Sequence, residues 1–424
     1  MRYVEAIEFL NKRKSLGTKP GLDAIENLLD SMGNPQNKLK FVHVAGTNGK
    51  GSTAAFIASI LKEAGYRVGV YNSPYLVKVN EIIRVNDEEI SDYEVSEIIT
   101  YISKILDKIE KGSEPSHTEF EIVTSMAFQY FVNKGCDIVV LEVGMGGRLD
   151  ATNIISVPEA AVITPIGIDH TAFLGDTLEK IAFEKAGIIK KGGAVVVASQ
   201  HQEAQKVIER RCREENAYLS AVQSSEIIPL NSDYKGQKFN ALGYDNLEIK
   251  LLGSYQRENA ALALKAIEVL QKKGYKIDEK AIYKGLYNTR WAGRFELLRE
   301  RPIFIRDGAH NNMGVAVLVE NLKKYFPGKR ITFIIGILGD KSFEDMLSLI
   351  APIAAKMIMV TPKSPRALPA KELAVFAKRY CREVIVAESI DQGVKYSVES
   401  SGEEDIICAF GSLYFISEIK IDFL

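Results

Sequence analysis

The chain has 424 residues with 54 basic and 55 acidic side chains, a net charge of −1, 46% hydrophobic and 26% charged residues. That length exceeds one ordinary core and calls for two or three domains of a soluble globular protein. The balanced charge leaves no electrostatic footprint for nucleic acid or an acidic membrane. Cys136, Cys212, Cys381 and Cys408 are far apart without CxxC spacing, which argues against a zinc site, a redox pair or a disulfide framework.

The N-terminal stretch MRYVEAIEFLNKRKS carries charges throughout, unlike a signal peptide. No stretch approaches the ~18 uninterrupted apolar residues of a membrane span. A cytoplasmic protein is expected. Short Val/Ile-rich runs at 40–45, 66–71, 137–143, 160–164 and 194–199 predict strands buried on both faces of a parallel sheet. Helix patterns at 50–64, 92–110, 118–133, 177–189 and 202–215 lie between them, the rhythm of a doubly wound α/β domain. Alternation within 217–252 predicts a small antiparallel flank, followed by helices at 255–273 and 278–287. The segment NTRWAGRF (288–295) breaks the pattern, and a second α/β rhythm follows with strands at 302–306, 330–337, 356–360, 383–387 and 405–410. The expected fold class is α/β in two domains, residues 1–295 and 296–424.

The strongest signal is the run Val44-Ala45-Gly46-Thr47-Asn48-Gly49-Lys50-Gly51-Ser52, between a strand and a helix. Glycines let successive N–H groups turn towards phosphate oxygens, and the helix N-terminus adds favourable partial charge. Lys50 would neutralise the outer phosphates and Ser52 could ligate Mg²⁺. Gly46, Thr47, Asn48, Gly49, Lys50, Gly51 and Ser52 are thus candidate ATP contacts. The run departs from the general Walker pattern at Val44 and Gly51. GTNGKGS fits the variant G-T-x-G-K-x-S/T, and by it the chain resembles the Mur ligase family, in particular the folylpolyglutamate synthases. The resemblance spans essentially the whole chain and implies an N-terminal P-loop ATPase domain followed by a Rossmann-like domain.

Glu142 ends the strand 137–143, where ligands of open α/β sheets collect, and His170 follows the strand at 160–164. Each alone reads as an ordinary polar residue; a carboxylate beside a phosphate loop can hold Mg²⁺. The resemblance implies that Glu142, His170 and Ser73, with Ser52, serve a magnesium site of two ions. It also implies that Lys185, which spacing alone would leave as a surface lysine, is carbamylated to N6-carboxylysine and supports the second ion.

On the substrate side, Ser73 to Val85 looks like the family's flexible loop beside a pterin pocket. Thr118, Glu119, Phe120 and Glu121 open a helix, and a capping box suffices to explain Thr118 and Glu121. The resemblance assigns these four, with Leu149, Asp150 and Ala151, to folate binding; Phe120 offers an aromatic surface. It assigns Asn259 to the adenine, with Tyr255 standing where relatives commonly have His. Arg294, Asp307 and His310, in WAGRFE and DGAHN, become nucleotide contacts. Lys341, Ser364, Arg366 and Ser412 are weaker candidates for holding glutamate, since a solvated cation or a helix cap explains each.

The implied reaction is ATP-dependent ligation of L-glutamate to a folate carboxylate through an acyl phosphate, with Lys50, Glu142, His170, Lys185 and Arg294 as the catalytic set. The implied partners are small molecules only (folate, glutamate and ATP), and a monomer is expected. Dihydrofolate synthase activity is the near alternative. A muropeptide ligase is disfavoured because only about 40 residues precede the phosphate loop, too few for a further domain. A P-loop switch and a non-catalytic nucleotide-binding module are the readings from other classes.

Overall fold

The computed structural model describes residues 1–17, 19–75, 78–112, 114 and 116–420. Two compact units are present: one of Met1–Leu230, Phe239–Glu248 and Arg257–Thr289, the other of Asn231–Lys238, Ile249–Gln256 and Arg290–Leu424.

The first unit is built on β1 (Phe41–Ala45), β2 (Val68–Tyr71), β3 (Ile83–Val85), β4 (Glu88–Glu89), β5 (Ile138–Glu142), β6 (Ala160–Ile163), β7 (Ala194–Val197) and β8 (Tyr218–Ala221). Their order across the sheet is β4-β3-β2-β5-β1-β6-β7-β8. From β2 to β8 all pairs are parallel; β3 and β4 are antiparallel. Every residue of β1, β2, β5 and β6 is buried. That explains why these strands read as continuous apolar runs rather than alternating ones.

Two features differ from expectation. Tyr218–Ala221 lies inside the segment read as an antiparallel flank, yet it pairs parallel with β7. The helix Gln202–Glu214 supplies the crossover that a parallel pair needs. The flank proper is β9 (Ile227–Asp233), β10 (Gly236–Ala241) and β11 (Tyr244–Ile249), in the order β11-β10-β9. The other feature is a pair of N-terminal helices, Tyr3–Lys14 and Asp23–Ser31, that join the core beside the helix Glu119–Asn133.

Helix Tyr3–Lys14 is fastened by a charge. Arg13 donates two hydrogen bonds, of 2.8 and 2.7 Å, to the Glu110 carboxylate. Glu110 also accepts from the Ser116 N–H at 2.9 Å and lies 2.8 Å from His117 Nδ1. Burial works against the Glu110 charge, but the bonds from Arg13, His117 and the backbone outweigh it and hold the carboxyl well below its usual range. The stabilisation is therefore present above the ordinary carboxylate pKa and is lost as pH falls through the depressed value. Arg13→Met should lower the unfolding free energy by about 3 kcal/mol at neutral pH, because it strands a buried carboxylate. Urea titration would read this, and the deficit should shrink in acid.

The second unit carries β12 (Glu296–Glu300), β13 (Ile303–Asp307), β14 (Ile331–Ile335), β15 (Ala354–Met359), β16 (Val384–Val386) and β17 (Ile406–Phe410), in the order β12-β13-β17-β14-β15-β16. All pairs are parallel except β12 with β13. No described helix in either unit is long and apolar enough to cross a membrane.

Candidate functional site

Four adjacent parallel strands, β2-β5-β1-β6, deliver the polar residues of the first unit to one edge. Val44 is in register with Glu142, Tyr71 with Leu141, and Ala45 with Ile163. Ser73, Glu142, the phosphate loop and His170 therefore all follow or end strands at the carboxyl edge, where open α/β sheets bind ligands.

The phosphate loop needs its glycines. Gly46 has φ of +148° and Gly49, which caps the helix Lys50–Glu63, has φ of +86°. A Cβ on Gly46 would stand 1.8 Å from Thr164 Oγ1, and one on Gly49 would stand 2.4 Å from Asn259 Oδ1. Gly46→Ala should therefore cost about 10²-fold in kcat/KM through displacement of the loop. Steady-state kinetics would check this, and adding Thr164→Ala should restore part of the loss.

The loop is docked on the segment after β6. The N–H groups of Thr47 and Asn48 donate to the Pro165 carbonyl at 3.0 and 3.4 Å. The Thr47 hydroxyl donates to Gly167 O at 3.1 Å and accepts from Gly167 N–H at 3.0 Å. Lys50 Nζ folds back to the carbonyls of Gly46 and Thr47, both at 3.2 Å. Ser52 is buried in the first turn of the helix.

Lys185 is not on the surface. It is only 4% exposed, and its Nζ donates to Gly46 O at 2.7 Å, the carbonyl that Lys50 also contacts. Burial, with Lys50 adding like-charge repulsion, pushes its ammonium down to about 7. Sequence spacing gives no warning of this, because the helix Leu178–Ala186 is mixed in polarity.

Glu142 is buried and its Oε2 accepts from Asn72 Nδ2 at 2.9 Å, while Asn72 Oδ1 accepts from Arg84 at 3.3 Å. Asn72 and Arg84 are neighbours of Glu142 that sequence reasoning does not pick out; for Asn72, a polar residue directly after a buried strand is the available signal. His170 caps a short helix at φ of +50°, with Nε2 3.9 Å from Asp169 Oδ2. Ser73 is partly exposed at the end of β2. The hydroxyls of Ser52 and Ser73 and the Glu142 carboxylate are oxygen donors of the kind a magnesium ion takes, and the His170 imidazole would add a nitrogen donor. Among the described residues no group of three His, Cys, Asp or Glu gathers into a self-sufficient metal site.

The folate candidates also converge. An ideal Cβ on Gly144 would lie 2.5 Å from the Phe120 ring and 3.2 Å from Asp150 Oδ2, so both residues flank one glycine. Phe120 meets Tyr71 edge-on at 6.3 Å. Thr118 and Glu121 satisfy each other: Glu121 Oε2 accepts from Thr118 N–H at 2.7 Å and from its hydroxyl at 2.8 Å. They form the helix cap, and Phe120 and Glu119 are left partly open. Burial raises the Glu119 carboxyl, opposed by Lys14, which lies 3.9 Å away. Lys14 also donates to the Tyr75 hydroxyl at 3.3 Å. Leu149 is partly open, and Ala151 is buried in the turn that follows. Of the loop compared with the family's flexible loop, Leu76 and Val77 lie outside the described residues.

In the second unit, Asp307 ends β13 and is buried, with Oδ2 accepting from Phe295 N–H at 2.6 Å and Oδ1 from Ala309 N–H at 2.7 Å. Burial raises its carboxyl against the opposing charge of Arg294. An added Cβ on Gly308 would stand 2.2 Å from the Arg294 guanidinium, and His310 Nδ1 lies 2.8 Å from Gly308 O. Arg294, Asp307 and His310 are thus one cluster around Gly308. The Tyr255 ring packs on Gly253. The glutamate candidates are less coherent. Arg366 is paired with Asp340, Ser364 Oγ accepts from Arg366 N–H at 3.3 Å, and Ser412 is the cap that accepts from Phe415 N–H at 3.0 Å. Lys341 follows β14 in a turn.

A family model described as the Mur ligase middle domain matches residues 44–267, and one described as the Mur ligase glutamate ligase domain matches residues 293–413. The chain is 38% identical over 426 residues to the dihydrofolate synthase/folylpolyglutamate synthase of Bacillus subtilis (strain 168), covering 99% of this chain and 98% of that relative. It matches the crystal structure of a folylpolyglutamate synthase from Thermotoga maritima with a TM-score of 0.86 at 37% identity, covering 98% and 95% of the two chains. It matches the Mycobacterium tuberculosis folylpolyglutamate synthase complexed with ADP with a TM-score of 0.90 at 29% identity, covering 100% and 98%. A phosphate loop, an acidic strand end and a buried lysine on one sheet edge, in a chain matched along its whole length, place it in a single group: the chain belongs to the folylpolyglutamate synthase branch of the Mur ligase family.

Proposed function

We propose that this chain, an ATP-dependent amide-bond ligase by family, joins L-glutamate to the glutamyl carboxylate of tetrahydrofolate and releases ADP and phosphate. The observation that carries this reading is the single sheet edge bearing the phosphate loop, Glu142, His170 and the folate-flanking Gly144 turn. A folate carboxylate oxygen attacks the γ-phosphorus and ADP leaves, giving an acyl phosphate. The glutamate amine then attacks the acyl carbon, loses a proton, and phosphate departs. Lys50 places a cation where charge develops on the transferring group. Ser52, Ser73, Glu142 and His170 would hold magnesium, which supplies charge neutralisation at the phosphates. Lys185, once carbamylated, would offer a further anionic ligand beside Gly46. Arg294, Asp307 and His310 are proposed nucleotide contacts on the second unit, with Asn259 on the first; Lys341, Ser364, Arg366 and Ser412 remain proposed for glutamate. The compartment proposed is the cytoplasm, with the chain acting as a monomer.

Incubation with Mg·ATP, glutamate and tetrahydrofolate, followed by mass spectrometry, tests the reading. Glutamate addition with stoichiometric phosphate release is expected. Phosphate release without a ligated product on any pterin would overturn the folate assignment. The bifunctional relative in Bacillus subtilis favours a second activity, glutamate addition to dihydropteroate, to be read in the same assay.

A further inference from the structure

Strand β1 carries a histidine that the reaction does not use. His43 is fully buried three residues before Gly46, and its Nε2 lies 2.9 Å from Thr152 Oγ1. The Thr152 hydroxyl in turn donates to Asp150 Oδ1 at 2.5 Å. That hydroxyl has one proton, which it donates in the hydrogen bond to Asp150, so towards His43 the oxygen can only accept. His43 must then carry its proton on Nε2. Its Nδ1 is left as a bare acceptor, and that atom has no partner. Burial, with Lys190 adding like-charge repulsion, pushes the imidazole down to about 3, so the ring stays neutral and this tautomer is held.

Asp150 receives three further donors: Thr152 N–H at 3.0 Å, Met145 N–H at 2.8 Å and the backbone of Gly144. Its carboxylate therefore closes the turn that leaves β5, against which the Phe120 ring sits. We propose that His43 and Thr152 are positioning residues for folate binding: the relay His43–Thr152–Asp150 fixes the rotation of the Asp150 carboxylate and, through it, the Gly144 turn. This rests on the folate reading of Asp150 given above. The relay acts on pterin affinity, because it touches neither the phosphate loop amides nor Lys50.

The test uses the full chain with Mg·ATP, glutamate and tetrahydrofolate. Thr152→Val keeps the shape and removes the hydroxyl. It should raise KM for tetrahydrofolate about tenfold, the cost of one charge-assisted bond, and change KM for ATP less than about twofold. Thr152→Ser should restore the wild-type value, and His43→Gln, whose amide can still donate, should do better than His43→Leu. In the Asp150→Asn background Thr152→Val should add nothing further. Three results would sink the relay: parallel increases in both KM values, failure of serine to rescue, or additive losses with Asp150→Asn. Should Asp150→Asn itself leave KM for tetrahydrofolate unchanged, the folate reading of Asp150 fails, and the purpose of the relay fails with it. Should Asp150→Asn raise that KM while Thr152→Val does not, only the relay falls.

Discussion

Lys50→Ala should reduce ligation by about 10³-fold or more, since it removes a cation from the phosphate loop where charge develops in the transition state. Lys50 Nζ rests on the carbonyls of Gly46 and Thr47, each at 3.2 Å, two weak contacts that a phosphate oxygen can displace. The ground state therefore gives up little when the side chain swings to the nucleotide. The loss is expected mainly in kcat, with the thermal stability of the first unit nearly unchanged. Lys50→Arg should recover little, because a planar fork does not replace a compact ammonium in a tight loop. Single-turnover measurement of ligated folate would check both variants, and wild-type turnover by Lys50→Ala would remove the loop from the chemistry.

Lys185→Met should also abolish ligation, by about 10²-fold or more, and should do so while stabilising the fold. An ordinary lysine at neutral pH is about one part in a few thousand free amine. Lys185, pushed down to about 7, is close to half free amine there. A free amine adds to carbon dioxide: nitrogen bonds to the carbon, the ammonium proton passes to water, and a carbamate remains. Labelled carbon dioxide should therefore appear on Lys185 in native-state carbon NMR and vanish in the Lys185→Met variant. The stability change has a definite sign. The folded pKa lies below the unfolded one, so between about 7 and the ordinary 10.5 the unfolded chain binds more protons. Stability from this group then rises with pH across that window. Methionine removes the burden of the buried cation, so the variant should melt above the unmodified wild type below pH 7, the gap closing as pH rises. Absence of label together with undiminished activity in Lys185→Met would dismiss the carbamate.

What the sequence disclosed tracks how each element is stabilised. Strands β1, β5 and β6 are buried on both faces, so their apolar runs were unmistakable. The glycine loop announced itself because no other residue can occupy Gly46 and Gly49. Helix Tyr3–Lys14 escaped notice because it buries only Ala6 and Leu10 and has no side-chain N-cap; an ion pair to Glu110 holds its far end. Strand β8 reads like part of the antiparallel flank because an edge strand with one exposed and three partly buried residues carries no parallel signature of its own. At the site, the position of Lys50 in the phosphate loop and of Glu142 at the end of a strand is legible in the sequence. The burial of Lys185, the Asn72 bond to Glu142 and the His43 relay were not, since each depends on residues 70 to 139 positions apart in the chain.

The placement of β1 has a consequence for timescale. The strand has parallel neighbours on both sides, and all five of its residues are buried. Amides in such a strand exchange with solvent only when the whole unit opens, whereas those of a peripheral helix exchange through local fraying. The stem of the phosphate loop therefore persists for as long as the fold itself, and an arriving nucleotide meets an anchor that is already formed.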